Sequence, residues 1–285
     1  MRRKNTEYTL KDVFGMVNRQ KFIAIVMTCF IFAGVESSFA GQLQKNTWEL
    51  GPELSYIEYN EPDVMKEKGW MYGIAGSYIY HQKLMLMAEG RFSYGKLDYS
   101  SPISSTVDDI DNYIVEFRGL GGYDFTVSES SVLTPYIGVG YRYLNDDSSM
   151  KVTSNGARGY ERESNYLYSP VGVKFISDLK DGWSMGAMAE YDIFWWGEQE
   201  SHLSDVSPGF NDLKNHQTSG YGLRGSVELQ KKVKSVAFAV EPFIRYWNIK
   251  ESDHDDLTWY GIKIGEAWEP KNHSTEYGIN LVVRF

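Results

Sequence analysis

Large apolar residues alternate with polar residues along most of the chain after residue 40, and a period of two is typical of β-strands. The segment from Trp48 to Tyr56 places apolar side chains on one face and puts Glu49 and Glu53 on the other. About ten segments repeat this arrangement, and in each the apolar face carries no charged residue. Because a charge facing lipid at mid-bilayer costs about 2–4 kcal/mol, we interpret the uncharged faces as lipid-exposed.

The opposite faces carry charged residues of both signs, and in a membrane barrel these side chains point into the lumen. A soluble β-sandwich also alternates, but its charge-free face would hold fewer Tyr and Trp residues. Since a ten-stranded barrel is narrow enough for side chains nearly to fill it, we expect a salt-bridged interior, with a selective small pore as the alternative. The predicted lumen charge network comprises Glu89, Arg91, Glu116, Arg118, Glu190, Asp192, Arg224, Glu241 and Arg245.

The links between the predicted strands alternate between short and long. The predicted fold class is therefore all-β: a transmembrane antiparallel up-and-down β-barrel of about ten strands, with short periplasmic turns and long extracellular loops. An even strand number places both ends of the barrel domain on the periplasmic side. The short links are predicted at 81–83, 128–131, 177–182 and 231–234, and the long ones at 60–69, 100–112, 145–164, 198–217 and 251–272.

The composition narrows the possible classes of function. A mean hydropathy of −0.41, with no long apolar run after residue 40, excludes a helical membrane protein. A net charge of −9 argues against nucleic acid as a partner, because phosphates need a basic surface. The single cysteine, Cys29, lies in the first 40 residues, so the rest of the chain has no thiol chemistry. The histidines form no zinc-binding pair at helical spacing, and we expect neither a metal nor a cofactor.

Residues 1–40 are predicted to be a cleavable signal peptide. Arg19 and Lys21 precede an apolar run over 22–35, and a small-residue cleavage site ends at Ala40. Met16 is a possible true start, because the basic segment would otherwise be unusually long. A single anchoring helix is the alternative, but the apolar run is short for a membrane span. The exported domain would be an outer-membrane β-barrel over residues 41–285.

The end of the chain resembles bacterial outer-membrane proteins, in which alternating apolar residues and a terminal aromatic residue form the signal read by the barrel-assembly machinery. The resemblance covers essentially all of residues 41–285 as architecture. It implies a bacterial outer-membrane location, with outer-membrane lipid, lipopolysaccharide and the assembly machinery as partners, and we expect a monomer. The signal consists of Tyr277, Ile279, Leu281, Val283 and Phe285.

Ten strands with five outer loops also resemble the omptin family, outer-membrane endopeptidases that activate water with an Asp pair facing an Asp–His pair. In the corresponding second and fourth loops this chain has Asp109 with Asp111, and Glu200 with His202. Paired carboxylates can hold a water molecule, and a carboxylate beside a histidine raises its basicity. The chain departs from the omptin pattern at Glu200, where that family has Asp, and the surrounding omptin segments are not recognisable.

The sequence therefore supports two functional hypotheses and leaves open whether the chain is an enzyme. The preferred one is a non-enzymatic, porin-like outer-membrane barrel with surface loops for interaction or limited permeability to small solutes. The alternative is an omptin-like endopeptidase. It requires Asp109, Asp111, Glu200 and His202 to converge on one water molecule above the barrel rim.

Overall fold

A computed structural model describes residues 45–285 as a closed antiparallel β-barrel. The predicted signal peptide, residues 1–40, lies outside the described residues, so its cleavage stays a prediction. No helix among residues 45–285 is long and apolar enough to cross a bilayer. The strands are β1 (Asn46–Glu61), β2 (Met65–Gln82), β3 (Leu84–Ser101), β4 (Ser105–Tyr123), β5 (Phe125–Ser128), β6 (Ser131–Asp147), β7 (Glu161–Asp178), β8 (Trp183–Ser201), β9 (Leu213–Gln217), β10 (Gly220–Val233), β11 (Val236–Ile249), β12 (His254–Trp259), β13 (Ile262–Trp268) and β14 (Asn272–Arg284).

Ten of these strands form the barrel wall, in the order β1-β2-β3-β4-β6-β7-β8-β10-β11-β14. The barrel closes where β1 pairs antiparallel with β14. The short β5 follows β4 after a break at Asp124 and pairs with β6, while β9 precedes β10 and pairs with the upper end of β8. Strands β12 and β13 form a separate hairpin in the last outer loop. The predicted all-β, ten-stranded antiparallel barrel is confirmed.

The face predicted to contact lipid is the outer face of the barrel wall. Tyr72, Phe117 and Val139 are large apolar residues, yet they expose 63%, 60% and 58% of their surface. Glu116, next to Phe117 in the strand, is 1% exposed. A charge-free outer face around a charged interior suits a hydrocarbon environment. This distribution of charge is the reverse of that in a soluble protein.

Aromatic residues form two girdles on the outer face of the wall. Near the extracellular ends of the strands, the rings of Tyr56 and Trp70 lie 5.4 Å apart, and near the periplasmic ends those of Trp48 and Tyr78 lie 4.7 Å apart. Such girdles mark the two membrane–water interfaces. The wall between them is the membrane-spanning part, and residues of β1 beyond Tyr56 lie above the bilayer.

Two of the five predicted long loops are wrong. Turns at 62–64 and 102–104 replace the loops expected at 60–69 and 100–112, because the strands continue above the outer girdle. There both faces of the wall meet water, and the outward face carries charges such as Glu58 of β1 and Lys66 of β2, which form an ion pair. The alternation of apolar and polar residues that identifies a strand is therefore lost. The remaining outer links span 148–160, 202–212 and 250–271, and the last contains the β12–β13 hairpin.

Candidate functional site

A layer of buried ion pairs crosses the lumen about midway between the two girdles. Arg91 of β3 lies at its centre, and its guanidinium reaches carboxylates on three other strands. The nitrogen–oxygen distances are 2.9 Å to Glu53, 2.8 Å to Glu116 and 2.9 Å to Glu276. These four side chains are between 1% and 3% exposed, so water does not screen them.

The same layer continues to the opposite wall through Arg224 of β10. Its guanidinium lies 2.5 Å from Glu116, 2.8 Å from Asp192 and 3.2 Å from Glu190. Arg118 also contacts Glu190, at 2.6 Å. Each of these buried charges therefore contacts at least one opposite charge, which is the condition under which buried ions are tolerated.

Most residues of the predicted lumen charge network lie in this layer. Glu89 pairs with Arg118, and Arg245 contacts Glu53 at 2.9 Å. Glu241 differs, because its carboxylate accepts hydrogen bonds from Ser226 and Asn280 and no ion pair to it occurs in residues 45–285. The layer as described brings together Glu89, Arg91, Glu116, Arg118, Glu190, Asp192, Arg224 and Arg245.

Two tyrosines belong to the ion-pair layer but were not predicted. The hydroxyl of Tyr168 donates to Glu116 at 2.5 Å, and that of Tyr136 donates to Glu190 at 2.8 Å. Both tyrosines occupy inward positions of β7 and β6. Their positions in the alternating pattern could have predicted that they point into the lumen. Tyrosine as a residue type had instead suggested the aromatic girdles.

An apolar layer fills the lumen above the ion pairs. It consists of two clusters of buried side chains, and Leu144 contacts both of them. Met71 and Ile249 are each 1% exposed, so the packing leaves no water around them. With the ion-pair layer, this layer packs side chains across the lumen of the described barrel. The clusters are Tyr166, Tyr168, Phe194, Trp247 and Ile249 in one and Ile57, Met71, Leu97 and Ile114 in the other.

A cavity of about 460 Å³ occupies the periplasmic half of the lumen. It ends against the guanidinium groups of the ion-pair layer, including Arg118 and Arg224. Its walls combine charged residues with apolar ones such as Met85, Met87 and Met188. The lumen is thus open below the ion pairs and filled from that level to the outer girdle.

A second group of charges lies at the outer mouth, above the girdle. Arg162 contacts Glu61 at 2.6 Å and Glu269 at 2.7 Å, and the hydroxyl of Tyr59 donates to both carboxylates. Glu269 belongs to the loop between β13 and β14. Burial and the neighbouring Glu61 carboxylate raise the pKa of Glu269 to about 7, although Arg162 opposes this shift. The mouth is therefore sensitive to protonation near neutral pH.

The four candidate catalytic residues occupy positions that differ from the prediction. Asp109 and Asp111 lie in β4 and Glu200 in β8, not in loops, because these strands extend above the membrane. Only His202 lies in a loop. On the barrel wall β6 and β7 separate β4 from β8, and within residues 45–285 no hydrogen bond or ion pair joins the Asp pair to Glu200 or His202.

The Asp pair has its own partners on β3. Asp111 accepts a short hydrogen bond from the Tyr94 hydroxyl and lies 4.0 Å from the Lys96 ammonium. Asp109 has a left-handed backbone conformation, with φ of 61°, and its amide donates to Asp98. These contacts point along the β3–β4 surface and not toward β8.

Glu200 and His202 instead join a cluster at the outer rim of β7, β8 and β9. His202 Nε2 lies 3.5 Å from Glu163, and His202 Nδ1 lies 3.8 Å from Asp212. Glu200 pairs with Lys214 at 2.8 Å. Partial burial opposes the charged form of His202, but the carboxylates of Glu163, Glu200 and Asp212 raise its pKa above the ordinary value.

Comparison with solved structures supports the barrel fold. The structure is similar to the outer-membrane protease OmpT of Escherichia coli, with a TM-score of 0.58 and 10% sequence identity over 84% of this chain and 95% of that protein. The translocator domain of the autotransporter NalP from Neisseria meningitidis matches with a TM-score of 0.40 and 10% identity over 95% and 96% of the two chains. At such low identity the likeness to OmpT shows the fold alone.

Comparison of the sequence with protein families identifies the chain more specifically. No curated protein sequence matches it significantly. The model of the autotransporter β-domain, however, matches residues 63–207, which is just over half of the chain. The matched segment runs from the β1–β2 turn through β8 and includes Arg91, Glu116 and Glu190 of the ion-pair layer. A barrel of this topology with a lipid-facing outer wall is a bacterial outer-membrane protein, and the chain belongs to the autotransporter β-domain family.

Proposed function

We propose that the chain is an outer-membrane barrel with a closed lumen, whose function is carried by the loops that it holds above the membrane. The main support is the filling of the lumen by two successive layers of side chains. Asp192 and Tyr168 are 0% exposed and Glu116 is 1% exposed. A porin needs a continuous water-filled path through this region, and a translocator needs space for a polypeptide.

The hairpin of β12 and β13 supports a role for the outer loops. Tyr260 and Ile262 at its tip expose 74% and 71% of their surface. The hairpin is held by a ring contact of 4.8 Å between Trp259 and Phe210 and by a hydrogen bond from the Thr258 amide to Asn211. A hairpin that exposes apolar side chains to water suits contact with another macromolecule.

Conductance across a planar bilayer tests the closed lumen. The full chain, purified from outer membranes in detergent, is inserted into the bilayer next to a porin as a positive control. We expect the porin to give discrete current steps and this chain to give none. Regular steps from the wild-type chain would contradict the proposal and support the small-solute pore.

An omptin-like endopeptidase is a second proposal, and the contacts of His202 with Glu163 and Asp212 favour it. The separation of Asp109 and Asp111 from this cluster weighs against it, because one water molecule must contact both groups. A fluorogenic peptide assay decides between the two proposals. The scaffold proposal predicts no cleavage, whereas cleavage that His202→Ala abolishes would establish the peptidase.

We also propose that the chain is exported with residues 1–40 as a signal peptide, assembled by the barrel-assembly machinery, and monomeric among lipid and lipopolysaccharide. The arrangement of β14 supports recognition by the assembly machinery. Tyr277, Leu281 and Phe285 expose 52%, 50% and 52% of their surface on the lipid face. Replacing Phe285 with Ser should lower the amount of folded protein in the outer membrane, as measured by heat-modifiable gel mobility.

A further inference from the structure

Two glutamates face each other across the outer ends of β7 and β8. Glu163 and Glu200 are direct cross-strand partners in the antiparallel register. Like charges in directly opposite positions destabilise a sheet, and a cation bound to both would relieve this repulsion. His202, two residues after Glu200, lies beside this pair. The register therefore places two carboxylates and one imidazole at the same point of the rim.

The ligand atoms of these three residues converge. One oxygen of Glu163, one oxygen of Glu200 and one ring nitrogen of His202 all lie within 4.8 Å of one another. His202 Nε2 is buried, and although it lies 3.5 Å from Oε2 of Glu163, it has no well-formed hydrogen bond within residues 45–285. A buried ring nitrogen that faces carboxylates without a close hydrogen bond is a donor that a metal ion could satisfy.

Each of the three residues is also oriented by a neighbour. The Tyr143 hydroxyl donates a short hydrogen bond to Oε1 of Glu163, and the Lys214 ammonium lies 2.8 Å from Oε2 of Glu200. The carboxylate of Asp212 lies 3.8 Å from Nδ1 of His202, on the side of the ring away from Glu163. A carboxylate behind a histidine ligand is the usual outer partner in metal sites, because it fixes the ring and its tautomer.

We propose that Glu163, Glu200 and His202 bind a divalent transition-metal ion of the zinc class at the outer rim. The imidazole favours such an ion over Ca²⁺ or Mg²⁺, which prefer oxygen ligands throughout. Three protein ligands leave a fourth position open to water or to an external anion. The site goes beyond the scaffold role proposed above and does not depend on it.

Zinc titration of the full chain in detergent tests this proposal. Isothermal titration calorimetry with ZnCl₂ is carried out on the wild type, His202→Ala, Glu200→Gln and His216→Ala. The last variant is a matched control, because His216 of β9 also lies between two carboxylates. Its Nε2 is 3.4 Å from Glu198 and its Nδ1 is 3.6 Å from Asp253. Heat-modifiable gel mobility verifies that each variant is folded.

We expect saturable binding of a single Zn²⁺ by the wild type and by His216→Ala, and a loss of affinity of about tenfold or more in His202→Ala and Glu200→Gln. Co²⁺ provides a second readout, since its visible absorption in the wild type should disappear in His202→Ala. Absence of saturable Zn²⁺ binding, unchanged affinity in His202→Ala, or an equal loss in His216→Ala would each overturn the proposal.

Discussion

The wall between the two girdles and the wall above the outer girdle use the same strands in opposite environments. Between the girdles the outer face carries no charge, and the inner face carries the ion pairs around Arg91 and Arg224. Above the outer girdle both faces carry charge, with Glu58 and Glu163 outside and Glu61 inside. The strand geometry is continuous, so the change of solvent from lipid to water accounts for the difference.

The charged groups of the two regions differ in whether a ligand can reach them. Between the girdles the carboxylates of Glu53, Glu116 and Glu276 are enclosed by guanidinium groups, and their side chains are almost fully buried. At the rim, Glu200 and His202 keep partial exposure and fewer partners. Buried ion pairs fix the packing of the lumen, whereas exposed groups remain able to exchange their partners for a ligand.

The largest expected effect comes from removing a guanidinium between the girdles. Arg224→Met leaves Glu116 and Asp192 without their closest cation, and a broken buried pair costs about 3–5 kcal/mol of unfolding free energy. Urea unfolding of the chain in detergent measures this loss. The same change at Arg158, which is exposed in the 148–160 loop, should cost less than about 1 kcal/mol. Equal losses in both variants would contradict the comparison.

A charge on the lipid face should have the next largest effect. Val139 and Val152 have similar exposure, 58% and 61%, but Val139 lies on the lipid face of β6 and Val152 in the loop above it. Val139→Arg should destabilise the inserted barrel by about 2–4 kcal/mol, whereas Val152→Arg should have little effect. Refolding yields into lipid vesicles at graded urea concentrations compare them. If Val139→Arg folds as well as Val152→Arg, the assigned membrane position is wrong.

The sequence predicted the wall between the girdles well, because there lipid and lumen impose opposite chemistry on alternate residues. The parity of Phe117 and Glu116 alone identified their faces. Prediction failed above the outer girdle. There water lies on both sides of the wall, and alternation of apolar and polar residues no longer distinguishes its two faces. Asp109 and Glu200 were therefore placed in loops although they lie in strands.

The rim cluster could not be predicted for a related reason. The partnership of Glu163 with Glu200 depends on the register of β7 and β8, and a bulge near Leu167 shifts this register. A single extra residue in one strand changes which side chains are opposite. The spacing of Glu200 and His202 is visible in the sequence, but their cross-strand partner is not.

The outer mouth should make the stability of the folded barrel depend on pH. With a pKa of about 7 when folded and an ordinary value of 4.5, Glu269 binds more protons in the folded state between these values. Its contribution to stability is therefore fully present below about pH 4.5 and is lost as the pH rises through about 7. In the wild type the free energy of unfolding should fall by about 1–3 kcal/mol between pH 5 and pH 8, and Glu269→Gln should remove most of this fall. An unchanged pH profile would contradict this assignment.

The smallest effect is expected for an exposed ion pair above the girdle. Glu58 and Lys66 lie 2.5 Å apart, but each side chain is about two-fifths exposed. Glu58→Gln should cost about 0–1 kcal/mol of unfolding free energy. The same change at Glu53, five positions earlier in β1 and 3% exposed, should cost several times more. Similar costs in urea unfolding would show that burial does not distinguish the two regions.

Accessibility of introduced cysteines tests the closed lumen most directly. The chain has one cysteine, so Cys29→Ser provides a thiol-free background. In this background Met87→Cys places a thiol in the wall of the periplasmic cavity, and Met71→Cys places one in the apolar layer, where the side chain is 1% exposed. With a small charged thiol reagent, we predict rapid modification of residue 87 and none of residue 71 in the folded barrel. Equally rapid modification of both would show a water-filled path through the lumen and would contradict the account.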